Sequence, residues 1–211
     1  MKIKVCGLKH PDNIKDVAGL MPDYAGFICY APSSRYAADL QTETLAALPE
    51  SIYKTAVFVN EEAETINKLI GAYHFDAIQL HGNESPDFCE LFMGRATVIK
   101  AFGIDSDFDL EQLNKFAGSV DFFLFDTKTD KHGGSGQTFD CTLLDRYNLD
   151  IPFFLSGGLS LENLETVRSI SHSKFYGVDL NSRFELEPGL KDIDKLKKGF
   201  ELLRGNETYE F

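Results

Sequence analysis

Along this chain, short runs of β-branched or aromatic residues alternate with segments that have amphipathic-helix spacing, and few folds accommodate that rhythm. The runs are IKVC, YAGFICY, YKTAVFV, FDAIQL, TVIKAF, DFFLFD, IPFFLS and KFYGVDL. Between and after them lie PDNIKDVAGL, TETLAALP, EAETINKLIGA, SPDFCELFM, DLEQLNKFAG, DCTLLDRYN, LENLETVRSI and DIDKLKKGFELLRG. Ala63, Ile66, Leu69 and Ile70 keep the i, i+3, i+4 spacing of one buried helix face. Pro11 suits a first helical turn, and Thr42 and Ser160 are expected as N-caps. Strand starts fall roughly 20–30 residues apart, the spacing of repeated βα units. The expected fold is α/β: one domain over residues 1–211, closed as a (β/α)8 barrel of the TIM type. An open doubly wound sheet is the competing arrangement.

Composition narrows the function. A formal net charge of −12 argues against nucleic-acid binding, which relies on clustered Lys and Arg. The N-terminus MKIKVCGLKH lacks the apolar stretch of a signal peptide, and no run of about 18 apolar residues occurs, so a cytoplasmic protein without membrane attachment is expected. Cys6, Cys29, Cys89 and Cys141 are widely spread with no C-x-x-C pair, and the five histidines are scattered. Neither a disulfide scaffold nor a metal site is expected.

In such a barrel, function collects at the C-terminal ends of the strands. The first run delivers Cys6 and Gly7 there, the second leads into YAPSSRY, and the fourth ends in QLHG. The sixth ends in Asp126 and the polar stretch TKTDKHGGSGQTFD, the seventh in SGG, and the eighth in VDLNS. The glycines of the sixth loop permit close backbone approach to a ligand. The last two loops are where many barrels bind phosphate, with a short extra helix aimed at the anion, so a phosphate site is expected at the ends of strands 7 and 8.

The segments KVCGLK, SSRY, IQLHG, FLFDTK with GGSGQTFD, FFLSGGLSLENL and GVDLNSRFELEPGLKD, in this order, resemble the phosphoribosylanthranilate isomerase family of tryptophan biosynthesis. The resemblance spans essentially the whole chain. One departure stands at Arg183 and Phe184, where the family commonly has a small and an aliphatic residue.

The resemblance implies an Amadori rearrangement of a small phosphorylated substrate without a cofactor, by a monomer or homodimer. An acid protonates the ribose ring oxygen and a base removes the C2′ proton. By position, Asp126 is the implied acid and Cys6 the implied base, with Gly7 leaving room for the sugar. Arg35 is implied to take the anthranilate carboxylate, and Asp179 the anthranilate amine. Gly134, Ser135, Gly136, Gly157, Gly158, Asn181 and Ser182 form the implied phosphate side, while His81 either shapes the pocket or is structural.

Residue chemistry sets conditions on these roles. Asp126 needs surroundings that let it carry a proton, and an ordinary thiol with a pKa near 8.5 needs a positive field to serve as a base. The anion-binding face, rather than Lys4, is expected to supply that field. Three other readings remain. Two are barrel enzymes, a histidine-pathway isomerase with paired aspartates and an indole-forming synthase with a lysine/glutamate set. The third is a non-catalytic sensor of phosphorylated metabolites.

Overall fold

The structure, a computed structural model, describes residues 1–127 and 144–205. Eight parallel strands close in sequence order: β1 (Lys2–Cys6), β2 (Tyr24–Ile28), β3 (Tyr53–Phe58), β4 (Ala77–Leu80), β5 (Thr97–Ile104), β6 (Phe122–Thr127), β7 (Phe153–Ser156) and β8 (Phe175–Leu180). The open sheet is excluded because β8 pairs back onto β1, with Asp179 in register with Lys4.

Helices α1 (Pro11–Gly19), α2 (Thr42–Ala46), α3 (Ala63–Tyr73), α4 (Pro86–Glu90), α5 (Leu164–Arg168) and α6 (Ile193–Arg204) lie between and after the strands. A 3-10 helix at Leu110–Phe116 replaces the α-helix read from DLEQLNKFAG. The first four residues of DCTLLDRYN lie outside the described residues.

Pro11 opens α1, but neither expected N-cap holds. Thr42 is already inside α2, with its hydroxyl directed to Glu43 Oε2, and Gln41 occupies the cap. Asn163 occupies the cap of α5, three residues after Ser160, whose N–H donates to Asn163 Oδ1. Side-chain caps occur instead at Ser85 and Asp192, which accept from the N–H groups of Phe88 and Lys195.

The period of two along a strand sorts the side chains into two layers. Phe123 and Phe125 face outward into the layer between strands and helices, together with Phe27, Phe58 and Phe153. Ile66 is fully buried in the same layer, and Ala63, Leu69 and Ile70 pack against it as the spacing predicts. Facing inward, Tyr24, Ala77, Ile99, Ala101, Leu124 and Phe154 fill the barrel, and Tyr24 meets Phe154 edge-on at 5.3 Å. Asp126 alternates with Leu124 on the inward face, which brings its carboxylate to the upper end of the barrel.

After β8 the expected helix is a single 3-10 turn, Ser182–Phe184, leading into a two-stranded hairpin of β9 (Glu185–Glu187) and β10 (Leu190–Lys191). Phe184, half of the departure from the family pattern, is fully buried there. Its ring lies 3.0 Å from where a Cβ on Gly199 of α6 would stand, so the glycine leaves room for the larger side chain. No helix among the described residues is long and apolar enough to cross a membrane.

Candidate active site

At the C-terminal ends of the strands opens a cavity of about 190 Å³, lined by Cys6, Arg35, Gln79, His81, Asp126, Ser156, Gly157, Gly158, Asp179, Asn181 and Ser182, with Ile28, Val57 and Leu159. Every expected site residue within the described residues is therefore gathered in one place. Gly134, Ser135 and Gly136 lie outside them. A roomier surface cleft of about 280 Å³, lined by Asp109, Glu111, Asn114 and Arg146, collects none of the strand-end residues.

Cys6 is only 3% exposed and sits at the end of β1, opposite Gly26 of β2. A Cβ at Gly26 would stand 2.7 Å from Cys6 Sγ, so Gly26 provides the space for the thiol. Gly7 does something other than leave room for a sugar. At φ +79° its bare face is occupied by Arg35 Cδ and Asn181 Oδ1, each 2.8 Å from a hypothetical Cβ. That glycine lets two site side chains cross the strand end.

Lys4, two residues before Cys6, projects into the barrel and is fully buried, and its Nζ donates to Asp179 Oδ2 at 2.8 Å. Burial pushes the Cys6 thiol up, and the Asp179 carboxylate adds to that, while the ammonium groups of Lys4 and Lys191 pull it down; the net direction is up. Burial also works against the Lys4 ammonium, but Asp179 and Cys6 outweigh it and hold Lys4 charged. Contrary to the expectation from sequence, Lys4 is thus a source of the positive field at Cys6. Strand alternation put both side chains on one face, and the buried pair with Asp179 keeps the charge there. Asp179 Oδ1 is buried in the cavity wall without a hydrogen-bond partner among the described residues.

Arg35 is held by Glu185 of β9 through a two-pronged contact, Nε to Oε1 at 2.9 Å and Nη2 to Oε2 at 2.7 Å. That geometry uses Nε and Nη2 and leaves Nη1 outside the pair with Glu185. Lys191 of β10 donates to Glu185 Oε1 at 2.7 Å and to Asn181 Oδ1 at 2.8 Å. Burial works to raise Glu185, but Arg35, Lys191 and the Gly189 N–H overrule it and keep the carboxylate ionised.

Across the cavity the network is sparser. Asp126 Oδ2 lies 3.4 Å from His81 Nε2, with the two side chains 37% and 32% exposed, and His81 Nδ1 lies 2.9 Å from Gln79 Nε2. His81 is locked from behind. Lys100 of β5 donates to Leu80 O and Gly82 O on either side of it and pairs with Glu84, which in turn accepts from the Gly82 N–H. After β7, Gly157 and Gly158 have φ values of +86° and +64°, and Thr127 Oγ1 donates to Ser156 O and Gly157 O. Among the described residues no group of three or more His, Cys, Asp or Glu is placed to hold a metal ion.

The arrangement thus offers a thiol in a cationic, water-poor wall and a carboxylate in a wetter one, with an arginine and glycine-rich turns around them. Proton transfer at two points of one small anionic ligand is the chemistry it suits.

Comparison with known proteins agrees. Residues 3–201 match the family model described as N-(5′-phosphoribosyl)anthranilate (PRA) isomerase. A Parabacteroides distasonis protein named N-(5′-phosphoribosyl)anthranilate isomerase is 46% identical over 200 residues, covering 93% of this chain and 90% of the relative. A protein of the same name from Caldanaerobacter subterraneus is 37% identical, covering 97% and 98%. The crystal structure of phosphoribosyl anthranilate isomerase from Thermotoga maritima superposes with a TM-score of 0.82 at 33% identity, covering 97% of this chain and 99% of that one. A phosphoribosyl anthranilate isomerase in complex with reduced 1-(o-carboxyphenylamino)-1-deoxyribulose 5-phosphate does so with a TM-score of 0.80 at 30% identity, with the same coverage.

Proposed function

Since the chain belongs to the N-(5′-phosphoribosyl)anthranilate isomerase family and is an isomerase of tryptophan biosynthesis, we propose that Cys6 is the base and Asp126 the acid of its reaction. One observation carries this reading: Cys6 from β1 and Asp126 from β6, far apart in sequence and three strands apart around the barrel, line the same cavity.

Asp126 delivers a proton to the furanose ring oxygen as the C1′–O bond breaks, and the anilino nitrogen supplies the electron pair that forms the Schiff base. Cys6 then removes the C2′ proton and an enolamine results. Loss of the 2′-hydroxyl proton and protonation of C1′ give the ketone, with no net oxidation.

The remaining groups orient the substrate. Arg35 Nη1 meets the anthranilate carboxylate, and Asp179 Oδ1, an acceptor in need of a donor, takes the anilino N–H. The phosphate lies at Gly157, Gly158, Asn181 and Ser182, with Gly134, Ser135 and Gly136 expected to complete its shell.

Residues 1–211 act as one barrel domain, as a monomer or a homodimer. A base that is a thiol must stay reduced, which supports a cytoplasmic location. Phosphoribosylanthranilate generated in situ should lose its anthranilate fluorescence in the presence of the protein. Full turnover by a variant carrying both Cys6→Ser and Asp126→Asn would overturn the assignment of base and acid.

A further inference from the structure

Among the described residues, two buried acceptors in side chains that line the cavity have no partner, Asp179 Oδ1 and Gln79 Oε1. The substrate's N–H answers the first, and the second is unclaimed. Gln79 is 1% exposed on the inward face of β4, where its register partner Val57 of β3 also lines the cavity. A buried amide oxygen without a donor forfeits its hydration, and a ligand that brings a donor recovers that loss.

The chemistry of the oxygen selects the donor. It is neutral and accepts only, so it repels the phosphate and carboxylate ends of an anionic substrate. Those ends have other places in the cavity, at the β7–β8 turns and Arg35. What remains is the hydroxyl edge of the sugar.

The other end of the amide fixes a neighbour. Gln79 Nε2 lies 2.9 Å from His81 Nδ1; with the amide in this orientation it donates, Nδ1 offers a lone pair, and the imidazole carries its N–H at Nε2, 3.4 Å from Asp126 Oδ2. The Lys100–Glu84 clamp behind His81 keeps the ring in reach of both partners.

We propose that Gln79 is a substrate-binding and positioning residue, accepting a sugar hydroxyl at Oε1 while its Nε2 sets the tautomer of the histidine that contacts Asp126. This deepens the active-site reading above and rests on it. The hydroxyl edge is thereby turned toward β4, with the phosphate at β7–β8 and the carboxylate at Arg35.

The test uses the intact protein and the product analogue reduced to the C2′ alcohol. Gln79→Met should bind that analogue about tenfold or more weakly, with a similar loss in kcat/KM, and should bind inorganic phosphate unchanged. Analogue binding equal to that of the wild type would overturn the proposal. Nitrogen-15 NMR of the wild-type imidazoles supplies a readout that does not depend on any variant folding. His81 should be unprotonated at Nδ1, and Gln79→Glu, which accepts where the amide donated, should move the proton to Nδ1. A wild-type His81 protonated at Nδ1 would mean the amide points the other way and would also overturn the proposal. Wild-type turnover keeps the two readings apart: its absence sinks the active-site reading, whereas normal turnover with an indifferent Gln79→Met sinks only the role of Gln79.

Discussion

The two walls of the cavity are built on different plans. On the β1–β8 side, Lys4 and Asp179 form an ion pair whose side chains are 0% and 4% exposed, and a second knot of Arg35, Glu185 and Lys191 sits above it. On the β4–β6 side, His81 and Asp126 meet at 3.4 Å with about a third of each side chain open to water. The proposed base, a thiol that is a poor anion by itself, requires a fixed field, which a dry wall sustains because low dielectric strengthens every charge in it. The proposed acid gives up its proton in each turnover and must be recharged, and a wet wall allows that.

The largest expected effect tests the dry wall. Lys4→Met leaves Asp179 as a buried carboxylate without its cation, and breaking a buried pair in this way costs roughly 3–5 kcal/mol of stability. Asp126→Asn on the wet wall should cost far less by the same measurement, chemical denaturation of each variant. Equal losses would mean that the two walls do not differ in kind. Lys4→Met combined with Asp179→Asn should recover part of the loss, since no unpaired charge remains.

Next come the two groups proposed to react. Cys6→Ser should lower turnover at least about a hundredfold, because a hydroxyl is a far weaker base than a thiolate. Asp126→Asn should lower kcat with little rise in KM. With both groups present, kcat should depend on pH as a bell whose limbs are macroscopic values of the pair. Asp126→Asn should lose the alkaline limb. Its remaining rise with pH should sit on the alkaline side, since burial holds the Cys6 thiol up against the pull of Lys4 and Lys191. A variant that keeps both limbs and most of its rate would give the ring-oxygen proton to another group or to water.

A smaller effect separates the ends of the substrate. Arg35→Met should weaken binding of the anthranilate end by about 1.5–3 kcal/mol, the range for a hydrogen bond to a charged group. Inorganic phosphate should bind the variant as it binds the wild type, because Lys191 and the Gly189 N–H still hold Glu185. A parallel fall in phosphate affinity would put Arg35 at the wrong end of the cavity.

The barrel was legible because alternation of strand and helix patterns is a local property repeated along the chain, and the meeting of Cys6 and Asp126 in one cavity was legible because both lie at the C-terminal ends of their strands, while the roles proposed for them come from the family resemblance. Pairings between distant residues were not. Lys4 reads as an ordinary charged residue until Asp179, 175 positions away, is seen beside it. Gly26 carries no signal in YAGFICY, yet it makes the space for Cys6 Sγ, while the conspicuous Gly7 serves Arg35 and Asn181 instead. Gln79 was passed over because QLHG draws the eye to the histidine. An inward-facing amide on a parallel barrel strand, where apolar residues are the rule, was the signal available.

The smallest expected effect compares two thiols that burial raises, the buried Cys6 with cations beside it and the half-buried Cys29 without them. Cys6 has Lys4 and Lys191 opposing its burial, whereas Cys29, at the end of β2, has burial and then Glu61 both pushing it upward, to about 12 from an ordinary 9.0. A group raised in the folded state contributes stability that is fully present below its unfolded value and is lost as pH rises through the folded value. Cys29 should therefore contribute most below about pH 9 and lose that contribution between there and about pH 12. Cys89, raised to about 11 by burial, adds a smaller loss of the same sign. Melting temperatures of the wild type and Cys29→Ala should diverge least at alkaline pH, because the unfolded wild type ionises its thiol while the folded one does not. A difference that stays constant from about pH 8 to pH 11 would show that the Cys29 thiol titrates alike in both states. Burial alone would then not raise a thiol in this barrel, and the cations around Cys6 would have nothing to oppose.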